Sequence, residues 1–131
     1  MIVIDTSAVF AITARESERE SFLDCLDADK GIMTTVSYVE SVMVLTGRSK
    51  QVALGRVDEL ITAFGIEIVA VDRTIAAAAV DAFDRYGKGR HPARLNLSDC
   101  FSYALARARD LPLLFKGGDF AKTDIVPAWR P

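Results

Sequence analysis

Cysteine and histidine are scarce in this chain, which has two cysteines and one histidine among its 131 residues. Cys25, Cys100 and His91 lie far apart in the sequence. The chain therefore lacks the clustered spacing of a disulfide framework or of a zinc site built from Cys and His. We expect both thiols to be reduced, as is typical of a cytoplasmic protein.

An excess of positive charge and a long apolar run are also missing. Lys and Arg number 16 against 18 Asp and Glu, which gives a formal net charge of −2. A dedicated nucleic-acid binder would be basic overall, so any contact with nucleic acid must use a local patch. No apolar run approaches the roughly 18 residues of a membrane helix, and the strand-like amino terminus does not resemble a cleavable leader. We expect no membrane segment.

Hydrophobic residues make up 50% of the chain, and charged residues 26%. This composition is globular, and the length fits one domain spanning residues 1–131. Short apolar segments alternate with segments of helical periodicity, which predicts an α/β fold: a three-layer α/β/α sandwich around a mostly parallel sheet of four to five strands. The expected strands are residues 1–4, 32–35, 66–71 and 111–115, with 125–126 as a candidate fifth.

The expected helices fill the intervals between these strands. One begins at about Ala8, another carries Phe22, Leu23 and Leu26 on one face, and a third carries Val36, Val39 and Met43 and ends near Gly47. The remaining three are predicted at residues 51–64, 73–86 and 97–109, with Gly65 as a C-terminal stop and Asp72 as an N-cap.

Four acids follow predicted hydrophobic segments or begin a predicted helix: Asp5, Glu40, Asp99 and Asp119. Residues just past the carboxyl ends of parallel strands share one edge of the sheet, which places Asp5, Glu40 and Asp119 together. Asp99 reaches the same edge from the amino end of its helix, because that helix runs antiparallel to the following strand. All four acids can therefore meet.

Each acid also has a structural explanation of its own. Asp5 could cap the first helix, Ser37-x-x-Glu40 matches a capping box, and Asn96-x-x-Asp99 resembles one. Asp119 follows two glycines in ordinary turn chemistry. Taken together, however, four independent placements on one edge favour a functional cluster over four separate caps.

Clustered carboxylates repel one another, and a divalent cation would relieve that repulsion. Oxygen-only ligands select Mg²⁺ or Mn²⁺, and such an ion can activate a water for phosphodiester hydrolysis. We expect Asp5 and Asp99 to bind the metal directly and Glu40 and Asp119 to act through water. Supporting hydrogen bonds to these acids are expected from Thr6, Ser7 and Asn96.

These residues, in this order, resemble the PIN-domain ribonucleases, and specifically the VapC toxins of prokaryotic toxin–antitoxin pairs. The resemblance covers nearly the whole chain. Its most specific segments are residues 2–8, 37–40, 87–91, 95–104 and 113–120, together with Thr123 and Asp124.

The resemblance implies a Mg²⁺- or Mn²⁺-dependent endoribonuclease in which Asp5, Glu40 and Asp99 match the family's most regular acids. Asp119 matches a Lys-Gly-x-Asp-Phe variant of the fourth position, because many members place that acid where this chain has Gly117. The resemblance also implies an RNA substrate, a homodimer and a small antitoxin partner that covers the groove.

A basic loop precedes the helix that carries Asp99, and its residues are candidate contacts for RNA phosphates: Lys88, Arg90, His91 and Arg94. The alternative is a solvated surface loop. His91 is a surface or RNA-contacting residue rather than a general base, since a metal-activated water needs no histidine.

Two other functions remain open at this point. The first is a catalytically silent PIN-fold module that binds RNA or a protein partner. The second is a phosphoryl-transfer domain, which also places an Asp after its first strand. The second is disfavoured because Thr6 and Ser7 follow Asp5 where an aspartyl phosphatase would have Asp-x-Asp.

Overall fold

The computed structural model describes residues 1–47 and 49–131. Strands and helices alternate along these residues, as the sequence pattern predicts. The strands are β1 (Ile2–Ile4), β2 (Gly31–Thr34), β3 (Glu67–Val69) and β4 (Leu113–Leu114). The helices are α1 (Thr6–Thr13), α2 (Arg19–Ala28), α3 (Thr35–Leu45), α4 (Lys50–Phe64), α5 (Arg73–Tyr86) and α6 (Leu97–Arg109).

The four strands form one parallel sheet in the order β3-β2-β1-β4. β1 is central, and its residue Val3 pairs with Ile32 of β2 and with Leu113 of β4. Every residue of β1 is buried, as its wholly apolar sequence predicts. The chain moves outward from β1 to β3 and then returns to add β4 on the other side of β1. This reversal creates a switch point at the carboxyl ends of β1 and β4, where α/β sheets bind ligands.

Apolar residues pack on both faces of the sheet, which confirms the sandwich. One core joins the sheet to α5 and α6 through residues such as Ala82 and Leu105. The other core joins it to α1, α2 and α4 through residues such as Phe22 and Val57. None of the helices among the described residues is long and apolar enough to cross a bilayer.

The contact between α3 and α6 is made by serines rather than by large apolar side chains. Ser37 and Ser41 on α3 and Ser98 and Ser102 on α6 are all buried, one turn apart on each helix. Part of the apolar surface of α3 packs against the core that contains Phe22 and Val57, and another apolar stripe of the helix points outward. Val39 is 53% exposed and Met43 is 68% exposed.

Several boundaries differ from the sequence prediction. Helix α1 begins at Thr6 rather than Ala8, because Asp5 caps it. β3 and β4 are shorter than predicted. The predicted fifth strand at residues 125–126 is wrong: a single parallel bridge joins Leu113 to Pro127, made by the Leu113 N–H on the Val126 carbonyl and the Ala128 N–H on the Leu113 carbonyl. The predicted helix stop at Gly65 is confirmed, with φ at +59°.

Candidate active site

Asp5 is the buried centre of the site. It follows β1 directly, is 2% exposed, and caps α1 by accepting a hydrogen bond of 3.0 Å from the backbone N–H of Ser7. The hydroxyl of Ser7 donates to the same oxygen, Oδ2, at 2.7 Å, and the hydroxyl of Ser102 donates to Oδ1 at 2.7 Å. Three donors thus compensate the burial of this carboxylate and fix its orientation.

The Ser102 hydroxyl belongs to a chain of buried hydroxyls. It lies 3.1 Å from the Ser37 hydroxyl, which in turn is 3.2 Å from the hydroxyl of Thr34. Thr34 is the N-cap of α3 and accepts from the backbone N–H of Ser37. The end of β2, the start of α3 and the middle of α6 are therefore tied to Asp5 by hydrogen bonds.

Asp99 lies in the first turn of α6, at the same edge of the sheet as Asp5. Its carboxylate accepts from the backbone N–H of Asn96 at 3.0 Å, while Asn96 accepts from the backbone N–H of Asp99 at 2.9 Å. This capping box confirms the predicted start of α6. Burial, followed by the charge of Asp5, raises the pKa of Asp99 to about 7, with smaller contributions from Glu40 and Asp119. The four acids are thus close enough to act on one another electrostatically.

Glu40 faces the same cleft from the second turn of α3, but it does not cap that helix. The predicted Ser37-x-x-Glu40 capping box is wrong, because α3 begins one turn earlier with Thr34 as its N-cap. Glu40 makes no hydrogen bond to the rest of the chain that the structure describes, so its carboxylate is available to a ligand.

Asp119 is the most peripheral of the four acids. It is exposed and precedes a 3₁₀ turn at Phe120–Lys122, after a turn in which Gly117 has φ at +101°. Its charge raises the pKa of Asp99, but less than burial, Asp5 and Glu40 do. Asp119 is not among the residues lining the cleft of about 380 Å³ that Asp5, Glu40 and Asp99 share.

The expected supporting residues behave differently from one another. Ser7 and Asn96 hydrogen bond to Asp5 and Asp99, as expected. Thr6 does not bond to an acid, because its hydroxyl points to the Ser37 carbonyl at 3.4 Å and so joins α1 to α3.

The basic loop before α6 is folded back on itself. A bridge joins Gly87 to Leu95, and the Lys88 N–H donates to the Leu95 carbonyl at 2.9 Å. Lys88 and Arg94 are exposed, while Arg90 is tied to Asp84 at 3.0 Å. This loop leads directly into Asn96 in the sequence, but its residues line a surface cavity separate from the acidic cleft.

His91 is held by its own loop. Its Nδ1 accepts from the backbone N–H of Ala93 at 3.0 Å, and its ring packs edge-on against Tyr86 with centroids 4.9 Å apart. These contacts give the imidazole a structural role. It does not line the acidic cleft.

The carboxylates of the cleft are the groups that could hold a metal ion. No three Asp, Glu, His or Cys side chains, in the part of the chain that the structure describes, are grouped so as to hold a metal ion by themselves. The site offers carboxylate oxygens only, and Mg²⁺ commonly binds one or two carboxylates while keeping several waters. Asp5 and Asp99 fit such a hydrated ion, and the mutual repulsion that raises the pKa of Asp99 is what a cation would relieve.

Some residues of the cleft were missed by the sequence reasoning. Ser102 lies three residues after Asp99 on α6, so helical spacing could have placed it on the same face. Phe10 of α1 and Glu16 of the α1–α2 connection also line the cleft, but nothing in their local sequence distinguishes them from other surface residues.

The chain belongs to the PIN-domain family, whose model matches residues 2–126. Its curated relatives are VapC ribonucleases. The chain is 42% identical over 131 residues to ribonuclease VapC30 of Mycobacterium tuberculosis, covering 99% of this chain and 100% of that protein. It is 44% identical over 127 residues to a ribonuclease VapC of Mycolicibacterium smegmatis, covering 95% of this chain and 98% of that protein.

Solved structures show the same fold at lower sequence identity. VapC20 of M. tuberculosis, described as a sarcin–ricin loop cleaving toxin, superposes with a TM-score of 0.79 at 17% identity, covering 100% of both chains. A chain of a toxin–antitoxin complex from Klebsiella pneumoniae superposes with a TM-score of 0.72 at 18% identity, also covering 100% of both chains. The expected PIN-like architecture is therefore confirmed.

Proposed function

We propose that this protein is a metal-dependent endoribonuclease that acts as the toxin of a toxin–antitoxin pair in the cytoplasm. The observation that carries this proposal is the convergence of Asp5, Glu40 and Asp99 on one cleft at the switch point of the sheet. Sequence identity of 42–44% to VapC ribonucleases, over nearly the full length of the chain, supports RNA as the substrate and hydrolysis as the reaction.

Asp5 and Asp99 are the proposed direct ligands of Mg²⁺ or Mn²⁺, with Glu40 and Asp119 acting through water. When bound, the ion would activate a water and stabilise the charge that develops on the phosphoryl oxygens. Asp5 suits this role because Ser7 occupies Oδ2 with two hydrogen bonds, whereas Oδ1 accepts only one and keeps acceptor capacity.

The serines around Asp5 prepare the site before a substrate arrives. A carboxylate held by three donors does not need to reorient on binding, and such preorganisation is the main contribution of a protein to electrostatic catalysis. Glu40, which no hydrogen bond from the described residues restrains, is free to adjust to a water or to a leaving group.

The basic loop is the proposed path of the RNA backbone toward the cleft. Lys88 and Arg94 are exposed and can pair with phosphates directly. Arg90 would first have to leave Asp84, and His91 contributes mainly by holding the loop. The overall charge of the protein is negative, so this local patch must provide the attraction for RNA.

The outward side of α3 is the proposed homodimer surface. Val36, Val39 and Met43 of α3 and Leu97 of α6 form what we call the α3–α6 apolar surface. Leu97 is 75% exposed, although it begins a well-ordered helix. Exposed apolar residues clustered in this way are typical of an interface.

The proposed partner is a small antitoxin that covers the acidic cleft. Two of the solved structures with this fold are toxin–antitoxin assemblies: the complex from K. pneumoniae and VapBC2 from Rickettsia felis bound to a promoter DNA fragment. An antitoxin that places a basic side chain among Asp5, Glu40 and Asp99 would compete with the metal ion for these carboxylates.

Induced expression and RNA cleavage in vitro test this function. We expect growth arrest and RNA cleavage from the wild type, and loss of both with Asp99→Asn or, in vitro, with EDTA. Asp110→Asn is the matched control, since Asp110 caps the opposite end of α6 in a left-handed conformation that asparagine tolerates. Cleavage that persists in Asp99→Asn and in EDTA would refute the proposal, while RNA binding without cleavage or toxicity would indicate a silent PIN-fold module.

A further inference from the structure

Lys116 stands at the acidic cleft among side chains of the opposite charge. It follows β4 and lines the cleft together with the acids Asp5, Glu40, Asp99 and Glu16. Among the described residues that line this cleft, Lys116 is the only cation. An RNA phosphate that approaches four carboxylates meets repulsion, so a cation at this position has a large influence on binding.

Two glutamates of the α1–α2 connection hold the Lys116 ammonium in place. Its Nζ donates a hydrogen bond to Oε2 of Glu16 and lies 3.1 Å from Oε2 of Glu18. All three side chains are about one-quarter to one-third exposed, at 33% for Lys116, 30% for Glu16 and 22% for Glu18. A lysine on an open surface has much rotamer freedom, and this pairing removes that freedom before a ligand binds.

The ammonium keeps donor capacity in this arrangement. Oε2 of Glu18 lies 3.1 Å from Nζ, close enough for a second charge-assisted hydrogen bond. A lysine ammonium has three N–H donors, and the two glutamates use at most two of them. At least one donor is available to an incoming anion.

The backbone of Lys116 is also fixed relative to Asp5. Its N–H donates to the Ser7 hydroxyl at 3.1 Å, and that hydroxyl donates to Asp5. Lys116 is therefore held at its backbone by the network of Asp5 and at its side chain by Glu16 and Glu18. If Lys116 served only to join the α1–α2 connection to β4, the ion pair with the glutamates would be sufficient. Restraint of both its backbone and its side chain also fixes the position of the ammonium relative to the Asp5 network.

We propose that Lys116 contacts a backbone phosphate of the RNA at the acidic cleft, and that Glu16 and Glu18 are positioning residues for its ammonium. The inference rests on the proposed ribonuclease function. It gives a role in substrate binding to the one positively charged side chain among the described residues that line the cleft.

Salt-dependent RNA binding tests this assignment. A fluorescein-labelled RNA 20-mer of random sequence is titrated in the Asp99→Asn background, where it is not cut, and the anisotropy gives Kd over a range of salt. Each phosphate contact on a single strand contributes about 0.7 to the slope of log K against log salt. We expect Lys116→Met to lower the magnitude of that slope by about 0.7 and to raise Kd by roughly 3- to 10-fold near 0.1 M salt.

Three further variants separate this role from a purely structural one. Lys30→Met is the matched control, because Lys30 is also ion-paired, with Glu67, but precedes β2 at the opposite edge of the sheet. Lys116→Arg keeps the positive charge and should keep the slope, even if it lowers the melting temperature. Glu18→Gln keeps the charge of Lys116 but removes one of the groups that hold it, so it should keep the slope and raise Kd. The slope thus reports on the charge, and thermal unfolding reports on the fold.

An unchanged slope and Kd in Lys116→Met would overturn the inference. In that case, RNA cleavage by the wild type decides whether the proposed function fails as well. If the wild type cleaves RNA and Asp99→Asn does not, the proposed function survives and only the role of Lys116 fails. If the wild type neither binds nor cleaves RNA, both fail together.

Discussion

The hydroxyl of Ser102 donates a hydrogen bond of 2.7 Å to Oδ1 of Asp5, joining residues that are 97 positions apart in the sequence. Both groups are buried, so the bond forms where solvent cannot replace it. It fixes the middle of α6 against the end of β1, and with it the position of Asp99 one turn earlier on α6. The separation between the two principal acids is therefore controlled by a serine.

Removal of this bond should affect both stability and activity. Ser102→Ala leaves a buried carboxylate with one donor fewer, and a hydrogen bond to a charged group contributes about 1.5–3 kcal/mol. We expect a loss of this size in the free energy of unfolding, measured by urea denaturation, and a lower rate of RNA cleavage.

Ser41→Ala is the matched control for that substitution. Ser41 is buried in the same α3–α6 contact, but its hydroxyl has no hydrogen-bond partner among the described residues. Its removal should be close to neutral for stability and activity. Equal losses in Ser102→Ala and Ser41→Ala would show that the serine packing, rather than the bond to Asp5, is what matters.

The metal-free protein should lose stability between about pH 4 and pH 7 because of Asp99. Burial and the Asp5 carboxylate raise the pKa of Asp99 from 3.8 to about 7, so the folded state binds the proton more tightly than the unfolded chain. The contribution of Asp99 to the free energy of unfolding is complete below its pKa in the unfolded chain. It is lost as the pH rises through its pKa in the folded state.

Asp99→Asn removes this dependence while keeping an oxygen that can accept from the Asn96 N–H. In EDTA we expect the variant to be more stable than the wild type above about pH 7, by roughly 1–2 kcal/mol after allowance for partial solvation, and similar to it near pH 4. Urea denaturation at both pH values measures the difference. A difference that is constant with pH would contradict the raised pKa.

Asp119 should matter less than Asp99. It is exposed, lies outside the shared cleft and raises the pKa of Asp99 less than Asp5 and Glu40 do. A role through water predicts that Asp119→Asn lowers the single-turnover cleavage rate by roughly 10-fold, within the range of a lost outer-shell partner. A loss as large as that of Asp99→Asn would instead make Asp119 a direct ligand.

The α3–α6 apolar surface should govern oligomeric state. A lysine placed in the middle of an apolar surface that binds a second copy of the chain would be buried close to the same lysine of that copy, with no opposite charge to pair with. This would disfavour the dimer. We expect Met43→Lys and Leu97→Lys to convert dimers to monomers, as measured by size-exclusion chromatography with light scattering. Val52→Lys is the control, since Val52 is 56% exposed on α4, outside this surface. A wild-type monomer, or dimers that persist in both variants, would refute the assignment.

The basic loop should contribute to RNA affinity unequally. Lys88→Gln and Arg94→Gln should each raise Kd for RNA several-fold and reduce its salt dependence, whereas Arg90→Gln should have a smaller effect because Arg90 already pairs with Asp84. Glutamine removes the charge and keeps most of the length of each side chain. Equal effects at all three positions would show that the Arg90–Asp84 pair does not persist in solution.

The sequence was sufficient for the parts of the site that depend on local pattern. The apolar run before Asp5 predicted a buried central strand, and Asn96-x-x-Asp99 predicted the start of α6. Parallel-sheet geometry then brought Asp5 and Asp99 to one edge. Each of these steps uses strand or helix periodicity together with a cap.

The sequence was insufficient where tertiary packing decides. Ser37-x-x-Glu40 predicted a capping box, but Thr34 caps α3 one turn earlier. The stripe of α3 that carries Val39 and Met43 is exposed, while the serines of the helix pack on α6. Which side of α3 meets its partner helix depends on tertiary packing rather than on periodicity. The pairing of Lys116 with Glu16 spans 100 positions, so nothing in the local sequence selected Glu16 as its partner.

Single-turnover RNA cleavage by wild type and Asp5→Asn, over a range of Mg²⁺ concentrations, tests the central claim most directly. Asp5→Asn preserves the acceptor for the Ser7 N–H but removes the charge that would hold the metal. We predict that the rate falls at least about 1,000-fold and is not restored by added Mg²⁺, consistent with loss of a principal electrostatic group. A rate within a few-fold of the wild type would contradict the assignment of this acid cluster as the catalytic metal site.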